Sequence, residues 1–190
     1  MKALEEKILR EGAVLPGDVL KVGSFLNQQL DVSFLIEMGR EIANLFRDER
    51  VDRILTIEAS GIAIAFAAAA ALSVPVVVAK KAPAANQSGE MLSVEITSYT
   101  HKNTYFATVG ADYLPAGERV LIVDDFLARG NALIGLREMI LRAGCTPVGA
   151  AIAIEKAYQG GGDALRAECL RIESLAKVAA MSVEGGITFA

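Results

Sequence analysis

Apolar positions along the chain follow two rhythms. In "VSFLIEMGREIANLF", Leu35, Met38, Ile42 and Leu45 fall on one helical face, and Asp31 stands where an N-cap belongs. Lys2 to Arg10 reads as an earlier helix. By contrast, "RILTIE", "VPVVVAK", "RVLIVDD" and "VGAAIAIEK" are short, β-branched runs of the kind a strand buried on both faces carries. Helices predicted over Gly61 to Leu72 and Ala132 to Arg142 separate them, the second stopped by Gly144 and Pro147. "LSVEITSY" and "TYFATV" alternate, and predict two strands around the polar turn "THKN". Strand and helix therefore take turns, which predicts an α/β domain with a mostly parallel central sheet flanked by helices. No linker or repeat divides the chain, so residues 1–190 are read as one domain.

One apolar stretch is long enough to raise the question of a membrane. Ala59 to Ala79 carries no charge, but Gly61, Ser73 and Pro75 interrupt it and its two halves differ in character. "GIAIAFAAAAAL" reads as a small-residue helix and "VPVVVA" as a core strand, so no membrane partner is expected. The charged, amphipathic "MKALEEKILREG" does not read as a signal peptide.

Composition narrows the chemistry. The chain is 53% hydrophobic and 22% charged, with a net charge of -4. That is globular, and it argues against a broad nucleic-acid footprint. Two separated cysteines, Cys145 and Cys169, point to a reduced, cytoplasmic protein, and a single histidine, His101, leaves little for zinc. Cys145 reads as a small packed residue, and His101 falls on the polar turn.

In parallel sheets ligands sit beyond the carboxyl ends of the strands. Four such ends carry charge here: "TIEASG", "VAKK", "VDDFLARGNA" and "IEKAYQGGGD". The third is the most informative. Asp124 and Asp125 can accept hydrogen bonds from sugar hydroxyls or act through Mg²⁺, and the glycine loop entering a helix can hold a phosphate. An acidic strand end that merely caps the next helix would look similar. The "QGGGD" run lacks a GxGxxG frame and reads as a flexible turn.

"VLIVDDFLARGNA" resembles the phosphoribosyl pyrophosphate (PRPP) motif of the type I phosphoribosyltransferases. The resemblance implies that fold, with a small hood made by the N- and C-terminal segments. It sets the core at roughly residues 32–155 and the hood at 1–31 and 156–190. It implies that Asp124 and Asp125 are the catalytic pair, facing the ribose hydroxyls. Ala128, Arg129, Gly130, Asn131 and Ala132 would wrap the 5′-phosphate. Arg129 and Ala132 stand where the family usually has threonines, so hydroxyl contacts give way to backbone amides. Ala128 stands where some relatives carry a catalytic aspartate. Ser60 and Gly61, with Lys80 and Lys81, would meet the pyrophosphate. Gln87 to Thr104 matches the family's mobile hood over the site.

"VLKVGSFLNQQLD" and "AIEKAYQGGGD" further resemble the bacterial purine-salvage members that act on xanthine. By that resemblance Leu20, Asn27 and Lys156 contact the purine and Tyr158 stacks on it. Lysine only donates, so Lys156 suits a 6-oxo group and leaves an adenine amino group unmatched. The Asn27 amide serves a 2-oxo or a 2-amino group equally, which leaves guanine and hypoxanthine open beside xanthine. The resemblance also implies Mg²⁺ bound mainly through PRPP rather than by a protein site, and a homodimer. A PRPP-sensing regulator of this fold that binds nucleic acid is the reading from another class, and the acidic balance speaks against it.

Overall fold

The computed structural model describes residues 1–81, 89–97 and 104–190. His101, the "THKN" turn and residues 87, 88 and 98–103 of the expected hood loop lie outside the described residues.

Helix α1 (Lys2–Glu11) leads into a hairpin of two short strands, β1 (Ala13–Leu15) and β2 (Val19–Lys21), followed by one π-helical turn over Gly23–Asn27. Helix α2 (Val32–Leu45) starts as its sequence predicts, with the Asp31 carboxylate accepting from the Phe34 amide at 3.2 Å. The same carboxylate accepts from Lys7 Nζ at 2.8 Å, and Lys7 in turn lies 5.4 and 5.1 Å from the ring centres of Phe25 and Phe34. The Lys7 bond, then the Phe34 amide, hold the Asp31 carboxyl down at about 2. One lysine therefore ties α1, the π-turn and the start of α2 together.

Strand β3 (Arg53–Ile57), helix α3 (Gly61–Leu72) and strand β4 (Val76–Ala79) form the first parallel unit. Gly39 lets α2 lie directly on α3, since a Cβ there would stand 2.4 Å from the Ala67 carbonyl. The alanines of α3 make that approach possible from the other side. Strands β5 (Met91–Thr97) and β6 (Thr104–Gly110) pair antiparallel as expected. This ribbon docks on the edge of β4 through two backbone hydrogen bonds between Lys80 and Thr108, 2.9 and 2.8 Å.

Strand β7 (Arg119–Leu127), helix α4 (Asn131–Arg142) and strand β8 (Thr146–Lys156) follow. Helix α5 (Gly161–Ala167) and strands β9 (Ile172–Ser182) and β10 (Gly186–Phe189) complete the chain. The main sheet runs β10-β9-β8-β7-β3-β4, parallel throughout except for the β9–β10 pair. One core cluster packs α1, α2 and α3 against one sheet face; the other packs α4 and the β5–β6 ribbon against the opposite face.

Three expectations need correction. Residues 172–189, expected in the hood, form β9 and β10 and extend the central sheet. The "IESLAKVAAMS" run has the apolar content of a core strand, and its backbone finds partners along β8. Strand β7 continues through Leu127 rather than stopping at the acids, because Phe126 and Leu127 keep pairing with Ile154 and Glu155 of β8. The "QGGGD" run is not a loose turn: Gly161 and Gly162 are buried and open α5.

Candidate functional site

Beyond the end of β7 the chain turns through Ala128–Arg129–Gly130 into α4, with Gly130 in the left-handed region at φ 86° as the N-cap. A side chain at that conformation would be strained, and a Cβ would press on Leu165 of α5 at 2.8 Å. The cleft above this turn holds about 140 Å³. It is lined by Asp124, Phe126 and Ala128 through Ala132, and roofed by Thr97 and Tyr105 of the ribbon. The five loop residues expected around a phosphate are thus brought together at a helix N-terminus. The Asn131 side chain donates to the Thr97 carbonyl at 2.8 Å and so links the loop to the ribbon.

Asp124 and Asp125 are 9% and 8% exposed, and the Asp125 amide donates to Asp124 Oδ1 at 2.9 Å. Asp124 lines the cleft, whereas Asp125 does not. Burial, and then repulsion from Asp125, push the Asp124 carboxyl well above its usual range. Lys81 pulls in the opposite direction. The lysine ammonium also sits 5.4 Å from the ring centre of Tyr105. Gly61 opens α3 directly against this carboxyl: a Cβ would lie 2.7 Å from Asp124 Oδ1 and 2.5 Å from Thr56 Oγ1. The Thr56 hydroxyl is buried with no partner among the described residues, a polar atom left facing the same spot.

Ser60 and Asn27 line a separate apolar groove of about 680 Å³ between α2 and α3, on the far side of the 58–61 turn. That turn contains a cis peptide between Glu58 and Ala59. The Glu58 carboxylate accepts from the Lys81 amide at 2.7 Å and pairs with Lys80 Nζ at 3.3 Å; the Lys81 amide chiefly keeps it below its ordinary range. Lys80 and Lys81 therefore stand at the junction of β3, β4 and the ribbon.

The expected purine contacts divide. Leu20 is packed in the core at 6% exposure, so its side chain is committed to the hood's interior. Lys156 Nζ lies 5.9 Å from the ring centre of Phe126 and donates to the Asp18 carbonyl; the Tyr158 hydroxyl donates to Asp18 Oδ1 at 2.6 Å. Burial lowers Lys156 below its usual range, against the pull of Asp18.

Phe126, an aromatic face on the cleft wall below Lys156, escaped the sequence reading, although its place two residues after Asp124 puts both on the same strand face. Gly161 escaped it too. A Cβ there would lie 2.4 Å from the Ala128 oxygen and from the Arg129 carbonyl carbon, so the start of α5 is the floor of the Ala128–Ala132 loop. Beneath that floor Arg166 makes two hydrogen bonds, 2.8 and 2.7 Å, to the Glu155 carboxylate, which is 1% exposed and also accepts from Ser174.

A family model described as "Phosphoribosyl transferase domain" matches residues 28–181. The chain belongs to the phosphoribosyltransferase family. Among curated relatives of this phosphoribosyltransferase is the Xanthine phosphoribosyltransferase of Heliobacterium modesticaldum, 48% identical over 190 residues, covering 100% of both chains. The Xanthine phosphoribosyltransferase of Clostridioides difficile (strain 630) is 50% identical over 179 residues, 94% of each chain. Among solved structures, adenine phosphoribosyltransferase from Rhodothermus marinus superposes with a TM-score of 0.74 at 20% identity, covering 93% of this chain and 99% of that one. At that identity the likeness speaks for the fold.

No cluster of three or more His, Cys, Asp or Glu side chains suited to a metal exists among the described residues, and no helix there is long and apolar enough to cross a membrane.

Proposed function

We propose that this phosphoribosyltransferase transfers the 5-phosphoribosyl group of PRPP to N9 of xanthine, giving XMP and pyrophosphate, in the cytoplasm. The observation that carries the reading is the Ala128–Ala132 loop at the start of α4, set beside the buried Asp124 carboxyl in one cleft. Near-full-length relatives named for xanthine supply the base.

In this reading the loop amides and the α4 N-terminus bind the 5′-phosphate. Asp124 and Asp125 accept from the ribose hydroxyls and hold the ring as positive charge grows at C1′. The C1′–O bond breaks with its electron pair leaving on pyrophosphate, N9 supplies the pair for the new C1′–N bond, and the N9 proton goes to solvent. Gly61, Lys80 and Lys81 meet the leaving pyrophosphate. Lys156 recognises an oxo group, with Phe126 and Tyr158 as apolar faces for the ring.

Mg²⁺ would be held mainly through PRPP, since among the described residues no cluster of three His, Cys, Asp or Glu side chains is set to hold it and Asp124 and Asp125 stand as an isolated pair. When bound, Mg²⁺ neutralises charge on the departing pyrophosphate. For assembly, Val32, Ile36 and Phe66, the last 71% exposed, place apolar surface on the groove between α2 and α3, which supports a homodimer across that face. Light scattering reads the mass directly, and a monomer that persists at micromolar concentration overturns the dimer.

The deciding assay follows nucleotide formation from PRPP and Mg²⁺ with xanthine, guanine, hypoxanthine, adenine and orotate. Preference for xanthine is expected. Preference for guanine or hypoxanthine keeps the PRPP site and overturns the base assignment. PRPP binding without product, together with retention of nucleic acid on a filter, would instead make the protein a sensor.

A further inference from the structure

The β1–β2 hairpin turns on Gly17 and Asp18, both in the left-handed region at φ 83° and 65°. Asp18 is one of the few side chains that tolerates this conformation. Its reward is a set of long-range bonds: one carboxylate oxygen accepts from the Tyr158 hydroxyl at 2.6 Å, the other from the Gln159 amide, and its backbone carbonyl from Lys156 Nζ. The three donors are the last residue of β8 and two residues of the turn after it, some 138 to 141 residues along the chain. Besides these contacts, the Lys156 ammonium rests over Phe126, a wall of the cleft.

A lysine head on a four-carbon stem has three donors and little intrinsic direction. One donor spent on a fixed carbonyl sets where the other two point. We propose that Asp18 is a positioning residue for base recognition: its left-handed carbonyl aims the Lys156 ammonium over Phe126, and its carboxylate locks the Tyr158–Gln159 turn that carries that lysine. The inference rests on the reading of Lys156 as a base contact. It assigns the N-terminal hairpin a task in specificity beside the purine contact expected of Leu20.

The test is a kinetic cycle with Asp18→Gly, Asp18→Asn, Lys156→Met and the double variant Asp18→Gly/Lys156→Met. Glycine keeps the left-handed turn while removing the carboxylate, and asparagine keeps both the turn and an acceptor. Asp18→Gly should raise KM for xanthine about tenfold, while KM for PRPP and kcat stay within about threefold. Asp18→Asn should recover most of that loss. On the Lys156→Met background, Asp18→Gly should add less than about twofold, because the Asp18 carboxylate serves the base only through the placing of Lys156. Effects that multiply in the double variant, or an equal rise in KM for PRPP, would overturn the role of Asp18 while leaving Lys156 as a base contact. Wild-type xanthine kinetics in Lys156→Met alone would overturn the base-contact reading itself, and the inference with it.

Discussion

Replacing Asp124 by asparagine should stabilise the protein in the absence of ligand while disabling it. The carboxyl is buried, touches Asp125, and sits well above the usual carboxylate range. An acid whose native value is raised binds more protons folded than unfolded between its unfolded value, near 3.9, and its native value. Its contribution is therefore fully present below that unfolded value and is lost as pH rises through the native one. Two unit charges 4 Å apart repel by about 4 kcal/mol at an effective dielectric of 20, and Lys81 offsets part of this. We take a net penalty of about 1–3 kcal/mol at pH 8. Asparagine removes it and keeps the oxygen that accepts from the Asp125 amide.

At about 2–4 °C per kcal/mol for a chain of this size, Tm of the ligand-free Asp124→Asn protein should exceed wild type by roughly 2–10 °C at pH 8. The gap should close near pH 3, where the wild-type carboxyl is largely protonated in both states. Turnover at saturating xanthine should fall about a hundredfold, since a carboxylate facing developing positive charge is lost. Differential scanning calorimetry at the two pH values, without PRPP or magnesium, reads the first effect. A variant no more stable than wild type at pH 8, or a gap independent of pH, refutes the claim that the Asp124–Asp125 pair is electrostatically frustrated.

Gly161→Ala places a methyl group against the Ala128 oxygen, and kcat/KM for PRPP should drop about 10–100-fold with little change in KM for xanthine, as initial-rate kinetics would show. Arg166→Met leaves the Glu155 carboxylate buried without its main partner and should cost about 3–5 kcal/mol, read by urea unfolding. Burial pushes Glu155 up but Arg166 and Ser174 outweigh it and hold it low, so the Arg166 contribution is present above the ordinary carboxylate range and fades as pH falls below it; the variant's deficit should shrink at pH 4. Phe126→Ala should raise KM for xanthine about 5–50-fold and leave KM for PRPP near wild type, the loss expected for a base that stacks on an aromatic face.

Much of this architecture is legible in the chain. Helix α3 runs over the expected Gly61–Leu72, Asp31 caps α2, and the apolar runs become β3, β4, β7 and β8. These elements follow from periodicity and capping, which are local. The loop of Ala128 to Ala132 is visible for the same reason, being contiguous. What escaped is whatever depends on distant partners. The "QGGGD" glycines look like a turn until α5 is seen lying on the phosphate loop, at a distance only a missing side chain permits. Asp18 looks like any turn residue until three donors from the end of β8 and the turn after it arrive. Leu20, in the same diagnostic segment, has its side chain packed in the core.

The contact between Gly161 and the Ala128–Arg129 backbone bears on how portable the motif is. A peptide or graft containing the whole run from Val120 to Ala132 would hold each residue that names the site, yet lack the surface that gives the loop its curvature. That surface comes from the last fifth of the chain, braced by Arg166 and Glu155. The shape of the loop is thus not encoded where the signature is written, and transplanting the signature into another sheet would carry the label without the fold that shapes it.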